Sequence, residues 1–473
     1  MEHRNSFIYN IKIKNNYRRL KIMLNKIKFH RYYMSSIFIL VLSIVFAACS
    51  NDSNPVDANP SGTSKVSGRV TTSDGLPKTL GKNGGVASTQ GGGVQGAVVI
   101  LAQVQADGSL NTVSTQSVTT DVDGKFTVET KLSGAKNLVV VATQGSTTWK
   151  AVVSSTVQAG TTVYAPPVNT EATTEAEIFI RLKAAGKTNV VSQSDVQLYV
   201  NADVAAQIKG NANAEDQFIT CLENEAKARA QASSNSYFGI TSSQIQTIVD
   251  ARAQAQASFE AALYAAGESQ SASETEWNNY QRAMISAYTN AGVKVEAYSK
   301  LMGISSKAFV NSAASMSSSA YIAASKSYYL RLALVLKTAA EAKFQEAGAS
   351  SSQISAVASA GTSLSASIKN STTFNQMMDA FAQYHSSVVA QLKLTFSAYA
   401  NTIDTIEAGV NGMGGMKAIL NTAIGVAVST DVIVNAYVNF FNSCKTVTQT
   451  AMTGASSAQV SAVSDILILV NMN

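Results

Sequence analysis

Outside a basic leader the 473-residue chain carries one histidine, His385, because His3 and His30 precede residue 49. That excludes metal sites built on several imidazoles and most His-based nucleophile triads. His385 lies on an apolar helical seam and reads as a satisfied boundary residue rather than a ligand. Three cysteines remain to be placed: Cys49, Cys221 and Cys444. Cys221 and Cys444 could close a disulfide whose loop of 444 − 221 = 223 residues would stabilise by roughly 5 kcal/mol in the chain-entropy picture. The alternative is two buried thiols acting as small hydrophobes. Asp121-Val-Asp-Gly124 has the opening of a calcium loop, but the twelfth position is Leu132 and the flanks pattern as strands, so a hairpin turn is expected. Gly91-Gly-Gly-Val-Gln-Gly96 satisfies GxGxxG yet leads into a strand instead of opening a helix. Gly186-Lys187-Thr188 lacks the upstream glycine of a phosphate loop, Arg181 standing in its place. GxSxG, HExxH and CxxC do not occur.

The acids Glu171, Glu175, Glu177, Glu223 and Glu225 fall on helical patterns among bases such as Arg181 and Lys227, and read as solvated faces. Tyr321, Tyr328 and Tyr329 cluster in a Ser/Ala-rich helix and are the exposed-face candidates for anchoring a partner or a sugar, though core packing is the commoner explanation. No metal or cofactor is implied. Of 36 Lys and Arg, nine precede residue 49 against one acid, so the rest of the chain holds 27 bases and 29 acids, a net charge near −2 rather than the +6 of the whole. Without a concentrated basic field, nucleic acid is not an expected partner.

Two kinds of element must carry these residues. All five prolines (Pro55, Pro60, Pro77, Pro166, Pro167) lie before residue 168, and 15 of 29 glycines occur by Gly160. Since both residues interrupt helices, the asymmetry predicts a multidomain β + α chain: a small antiparallel β-sandwich over 65–168 and a large all-α helical bundle over 169–473. Val- and Thr-rich strands are expected at Val66–Thr71, Ala97–Val104, Thr112–Thr119, Lys125–Glu129, Leu138–Thr143, Trp149–Ser154 and Thr161–Ala165. The α part holds 56 Ala and 40 Ser and no proline, which predicts roughly eight to eleven long antiparallel helices. Phe374, Met378, Phe381, His385, Val388, Leu392, Thr395 and Tyr399 recur at steps of four and three, as do Trp277, Tyr280, Met284, Tyr288, Ala291, Val295, Tyr298 and Met302. The weakly charged stretch Gly409–Phe441 reads as a buried helix pair rather than a membrane span. Three echoes, Gly239-Ile-Thr-Ser-Ser-Gln244, Gly348-Ala-Ser-Ser-Ser-Gln353 and Gly454-Ala-Ser-Ser-Ala-Gln459, suggest a duplicated helical unit, each pairing a C′-type glycine with an N-cap serine or threonine.

The N-terminal 48 residues read as a leader. From Met23, which is expected to be the true start, a basic stretch with Lys26, Lys28 and Arg31 precedes the uncharged run Ile37–Ala48. That run is shorter than the ~20 residues a spanning helix needs. Ala47-Ala48-Cys49-Ser50 resembles a bacterial lipobox, with Phe46 where leucine is usual. The resemblance implies that Cys49 becomes the lipidated first residue, acylated by chains such as palmitate, and that residue 50, not being Asp, favours the outer membrane. Residues 49–64 then read as a flexible tether. Val66-Ser-Gly-Arg-Val70, Val94-Gln-Gly-Ala-Val-Val-Ile100 and Thr120-Asp-Val-Asp-Gly-Lys-Phe126 resemble the successive motifs of carboxypeptidase regulatory-like domains, which implies a transthyretin-like sandwich. In that resemblance Gly68 and Gly96 serve turns, Asp123-Gly124 closes a hairpin before an inward Phe126, and no catalytic residue carries over. The Gly-rich insert Gly75–Gly93 departs from the pattern and reads as a mobile loop.

The expected protein is a lipid-anchored cell-envelope component, held in the outer membrane through Cys49, with a non-enzymatic structural, adhesion or protein-interaction role. Its expected partner is an envelope protein or glycan. A ligand-binding lipoprotein, holding a glycan or peptide in a cleft of the helical region, is the second reading. An enzyme with a carboxylate or Ser/Lys site lacking any local motif is the third.

Overall fold

A computed structural model describes residues 62–72, 92–267 and 269–473. The leader, Cys49, most of the tether and most of the Gly75–Gly93 insert lie outside the described residues. Strands come first: β1 Ser64–Arg69, β2 Val98–Val104, β3 Leu110–Thr112, β4 Val118–Thr119, β5 Lys125–Thr130, β6 Leu138–Gln144, β7 Thr147–Val153 and β8 Thr162–Tyr164. One sheet has the order β5-β1-β8, with β1 antiparallel to β5 and parallel to β8. The other has the order β3-β2-β6-β7, with β4 also paired to β2. Val66, Phe126 and Val128 of the first sheet share an apolar cluster with Val99, Leu101, Leu138, Val140 and Ala151 of the second.

The single strand expected over Thr112–Thr119 is two. The Val113 and Ser114 amides both donate to the Leu101 carbonyl, so two residues oppose one and the chain turns out of register. It then reaches the other sheet, where Ser114 bridges Thr130 and the Thr115 amide donates to the Glu129 carbonyl. Gly68 is also not in a turn. It lies within β1, and a Cβ there would meet the Phe126 ring at 2.5 Å, so its missing side chain is what admits the inward phenylalanine. The Asp121–Gly124 segment is the expected hairpin turn: Asp121 Oδ1 accepts the Asp123 and Lys125 amides, and Gly124 adopts φ +74°.

Helices follow Pro166-Pro167: α1 Thr170–Ala184, α2 Gln193–Tyr199, α3 Ala202–Ile208, α4 Ala212–Ser234, α5 Ser242–Ala266, α6 Gln270–Asn290, α7 Val295–Ala313, α8 Ser318–Glu346, α9 Ser351–Asn370, α10 Phe374–Thr395, α11 Ala400–Asn411, α12 Met416–Gly425, α13 Thr430–Ala451 and α14 Ser457–Leu469. Helix α1 starts where the Asn169 side chain accepts the Ala172 amide, and it mortars the two parts together. Its Ala172 joins the cluster between the sheets, Ala176 and Phe179 pack on Val104, Val139 and Val152 of the opposite sheet face, and Ile178 and Leu182 enter the helical core. The strands and helices accordingly form one compact unit.

Eight of the helices have 19 residues or more. Helix α8 is central: α3, α7, α9, α10 and α14 pack against it, and Ser327–Ala333 is buried without interruption. The three sequence echoes are one local device. Thr241, Ser350 and Ser456 are N-caps of α5, α9 and α14, each forming a capping box with Gln244, Gln353 or Gln459. Their glycines all have positive φ, but only Gly348 stands at C′ of the preceding helix, its amide bonding Gln345 and that of Ala349 bonding Phe344. The stripe from Trp277 to Met302 is buried but not continuous. It folds back at Gly292 (φ +81°), stacking the Tyr288 and Tyr298 rings 3.9 Å apart. Among the described residues, no helix is long and apolar enough to cross a membrane.

Candidate functional site

The densest polar chemistry lies inside the helical core, around Asp195. Ser192 caps α2 and its hydroxyl and amide both donate to Asp195 Oδ2, the third residue of the same capping box. This turns Oδ1 toward two long helices, where it accepts Arg229 Nη2 of α4 at 2.9 Å and Arg252 Nη2 of α5 at 2.7 Å. Burial alone would push the Asp195 carboxyl up, but the two guanidinium groups outweigh it and hold the carboxyl well below its usual range. One turn before Arg229, Glu225 lies 3.3 Å from Arg229 Nε and accepts the Tyr328 hydroxyl at 3.2 Å. Its pKa is raised, because complete burial outweighs Arg229. Tyr328 and Ser305 Oγ are 2.8 Å apart, and the Tyr328 ring stacks on Tyr199 with centroids 4.7 Å apart.

A third guanidinium, Arg331, lies in the same neighbourhood on α8. Its Nη2 donates to the Tyr298 hydroxyl at 3.1 Å and its plane lies 5.9 Å from the Tyr199 ring centroid. Arg331 forms no ion pair with a described carboxylate, and its Nε is buried without a hydrogen-bond partner. A narrow cleft with little more enclosed space than one water molecule, partly open to solvent, is lined by Leu198, Asn201, Trp277, Gln281, Ser327, Leu330 and Arg331. Trp277 packs there against Phe259 and Tyr280, and its Nε1 is likewise buried without a partner.

A second polar knot holds the end of β7 to the helices. Ser154 Oγ accepts amide protons from Gln193 and Gln256 and donates its own proton to Glu260 on α5. Burial pushes the Glu260 carboxyl up to about 8 against the pull of Ser154, so it is neutral at pH 7. A third knot pins the C-terminal helix: Asp465 of α14 lies 2.8 Å from Lys300 Nζ and 3.4 Å from Lys343 Nζ, which also reaches Glu296 at 3.1 Å.

These arrangements hold charge more readily than they move protons. Tyr199, Tyr280, Tyr288 and Tyr328 all have pKa values raised by burial and stay protonated. No group of three or more His, Cys, Asp or Glu side chains suited to a metal occurs among the described residues.

Several expected positions move. Glu171, Glu175 and Glu225 are buried rather than solvated, because α1 and α4 are covered on more than one side, whereas Glu223 pairs with Lys187 and Lys227 near the surface. Tyr328 and Tyr329 take the core packing that is the commoner explanation, and Tyr321 is partly exposed near the start of α8. The α10 seam runs through Met377, Phe381, Tyr384, Val388 and Leu392, so Phe374 and Met378 sit at its edge. His385 is a boundary residue 3.2 Å from the Asn411 amide and 3.7 Å from Glu407; burial lowers its pKa against the pull of Glu407. The stretch 409–441 does contain a helix pair, with Leu420, Ile424, Ile433 and Tyr437 inside. Met413, Ile419, Val426 and Val428 are instead exposed, Ile419 on α12 and the other three in the turns before and after it. Cys221 and Cys444 are separate buried thiols, both pushed up to about 12 by burial.

Asp195, Arg229, Arg252, Arg331 and Trp277 as a site were not found by local motif. One signal points to them: after residue 168 the chain uses 14 lysines but only five arginines, Arg181, Arg229, Arg252, Arg282 and Arg331. Three of those five are the buried ones, as expected of a side chain suited to desolvated ion pairs. Comparison of the chain with protein-family models, curated proteins and solved structures finds no match in any of the three.

Proposed function

We propose that this is a lipid-anchored protein of the bacterial outer membrane, tethered through Cys49, whose two N-terminal sheets form a transthyretin-like sandwich and whose helical region docks a protein partner. The observation that carries the docking role is the apolar surface of the segment 413–432, where Met413, Ile419, Val426, Val428 and Val432 are exposed within 20 residues. Scattered exposed hydrophobes are ordinary, but five within α12, its flanking turns and the first turn of α13 suit an interaction surface. The enclosed ion pairs of Asp195 and Asp465 support a scaffold more than a catalyst.

The test is photo-crosslinking in intact cells, with a photoreactive residue at Val428 or, as control, at exposed Ser352. A discrete adduct from position 428 alone supports docking; equal labelling at both, or none at 428, rejects it. Protease shaving of intact and lysed cells, beside a Cys49→Ala strain, tests the anchor. Loss of membrane association in that strain is expected, and unchanged association would reject lipidation.

The second reading, a glycan- or peptide-binding lipoprotein, has in its favour the Trp277–Arg331 cleft. Its enclosed space is little more than that of one water molecule, so it suits a single functional group rather than an extended chain.

A further inference from the structure

We propose that the cleft between α2, α6 and α8 binds a small carboxylate monoanion, with Arg331 as its counter-ion and the Trp277 indole as a second donor. Three guanidinium groups (Arg229, Arg252, Arg331) share this part of the core with two acids, Asp195 and Glu225, so even with both acids ionised one positive charge is left over. The surplus is localised. Arg229 and Arg252 are both committed to Asp195, and Arg229 also to Glu225, whereas Arg331 meets only a phenol and a ring face. A buried charge is costly unless it is paired and hydrogen-bonded. Arg331 is 7 % exposed, in the run Ser327–Ala333 that is buried without interruption, and the cleft is its opening toward solvent.

The lining chooses the class of anion. A single negative charge neutralises the surplus, whereas a phosphate dianion would invert it. The planar guanidinium edge matches the two oxygens of a carboxylate. Beside it, Trp277 is 5 % exposed and offers a second unsatisfied N–H, and Asn201, Gln281 and Ser327 add polar edges to the cleft. Leu198, Leu330 and the indole face supply an apolar wall for a short carbon body. The enclosed space is little more than that of one water molecule, so the carboxylate fills it and any carbon body lies toward the open side.

Trp149 and Trp277 are the two tryptophans of the chain, so a Trp149→Phe protein reports on the cleft through one indole N–H resonance. Sodium acetate, titrated at constant ionic strength, is expected to move that resonance saturably downfield and to raise the unfolding temperature. Chloride and phosphate are expected to do neither. Arg331→Met should abolish both responses while leaving the anion-free protein at least as stable as the parent. Trp277→Phe, which keeps ring packing, should weaken acetate by roughly three- to tenfold, the worth of one hydrogen bond, followed by unfolding temperature. N-acetylglycine separates two sources of the same chemistry: tighter binding than acetate assigns a peptide C-terminus, weaker binding a free small acid. The proposal is overturned if acetate leaves the Trp277 resonance unmoved, if chloride moves it equally, or if Arg331→Met binds as the parent does. It is equally overturned if Arg331→Met proves markedly less stable without any anion, since Arg331 would then already be satisfied within the fold.

Discussion

Asp195 Oδ1 and Arg229 Nη2 meet at 2.9 Å in the middle of the helical core, although 34 residues separate them along the chain. The same oxygen takes Arg252, so one carboxylate neutralises charge on two helices at once. Asp195→Asn keeps the shape and removes the charge, leaving both guanidinium groups under-compensated. A loss of roughly 3–5 kcal/mol in urea unfolding is expected, the cost of breaking a buried pair from one side. A loss under about 1 kcal/mol, typical of exposed pairs, would show that water reaches this cluster.

Glu260 makes stability fall as pH rises. Its carboxyl is held protonated in the native protein up to about 8, against an ordinary value of 4.5, because burial disfavours the anion and Oε2 has no partner. Between those values the native state holds a proton that the unfolded chain has released. The contribution is therefore complete below pH 4.5, shrinks through the window and is gone above about 8. At about 1.36 kcal/mol per pKa unit the total is roughly 3–5 kcal/mol. Urea midpoints of the wild type and Glu260→Gln at pH 5.5 and 8.5 check this: the wild type should lose stability relative to the variant, and parallel behaviour would reject the protonated carboxyl.

The two internal thiols should be inert. With both pushed up to about 12 and buried, roughly one in ten thousand is thiolate at pH 8. A thiol reagent such as dithionitrobenzoate should leave native Cys221 and Cys444 unmodified and label both in denaturant without prior reduction. Failure to label the unreduced, unfolded chain would mean that the two had paired.

Gly68→Ala should destabilise the strand region by about 1–3 kcal/mol, as overpacking does, because the added methyl overlaps a buried ring. The contact is with Phe126 Cζ at 2.5 Å and the Ala165 methyl at 3.3 Å, so no flexible chain end can give way. Phe126→Leu should recover part of the loss in the double variant. An unchanged unfolding temperature for Gly68→Ala alone would contradict the packing described.

Local chemistry by itself determined a good deal. The five early prolines and clustered glycines divide strands from helices near Pro166-Pro167, and Asp121 with Gly124 specifies its hairpin through bonds spanning four residues. The Thr/Ser-to-Gln capping boxes likewise read directly as helix starts, since all their atoms lie within one turn. Burial was decided only by tertiary structure. Periodicity finds one apolar face, but several helices pack on α8 and Ser327–Ala333 is buried around a whole turn, so Tyr328, Tyr329 and Arg331 are interior despite Ser- and Ala-rich neighbours. Asp195 gains its partners only when helices 34 and 57 residues away bring Arg229 and Arg252 onto it, and Glu225, on the same helix as Arg229, meets Tyr328 from 103 residues away. Charge is admitted to a core only where a distant partner desolvates with it, and no local pattern carries that distance.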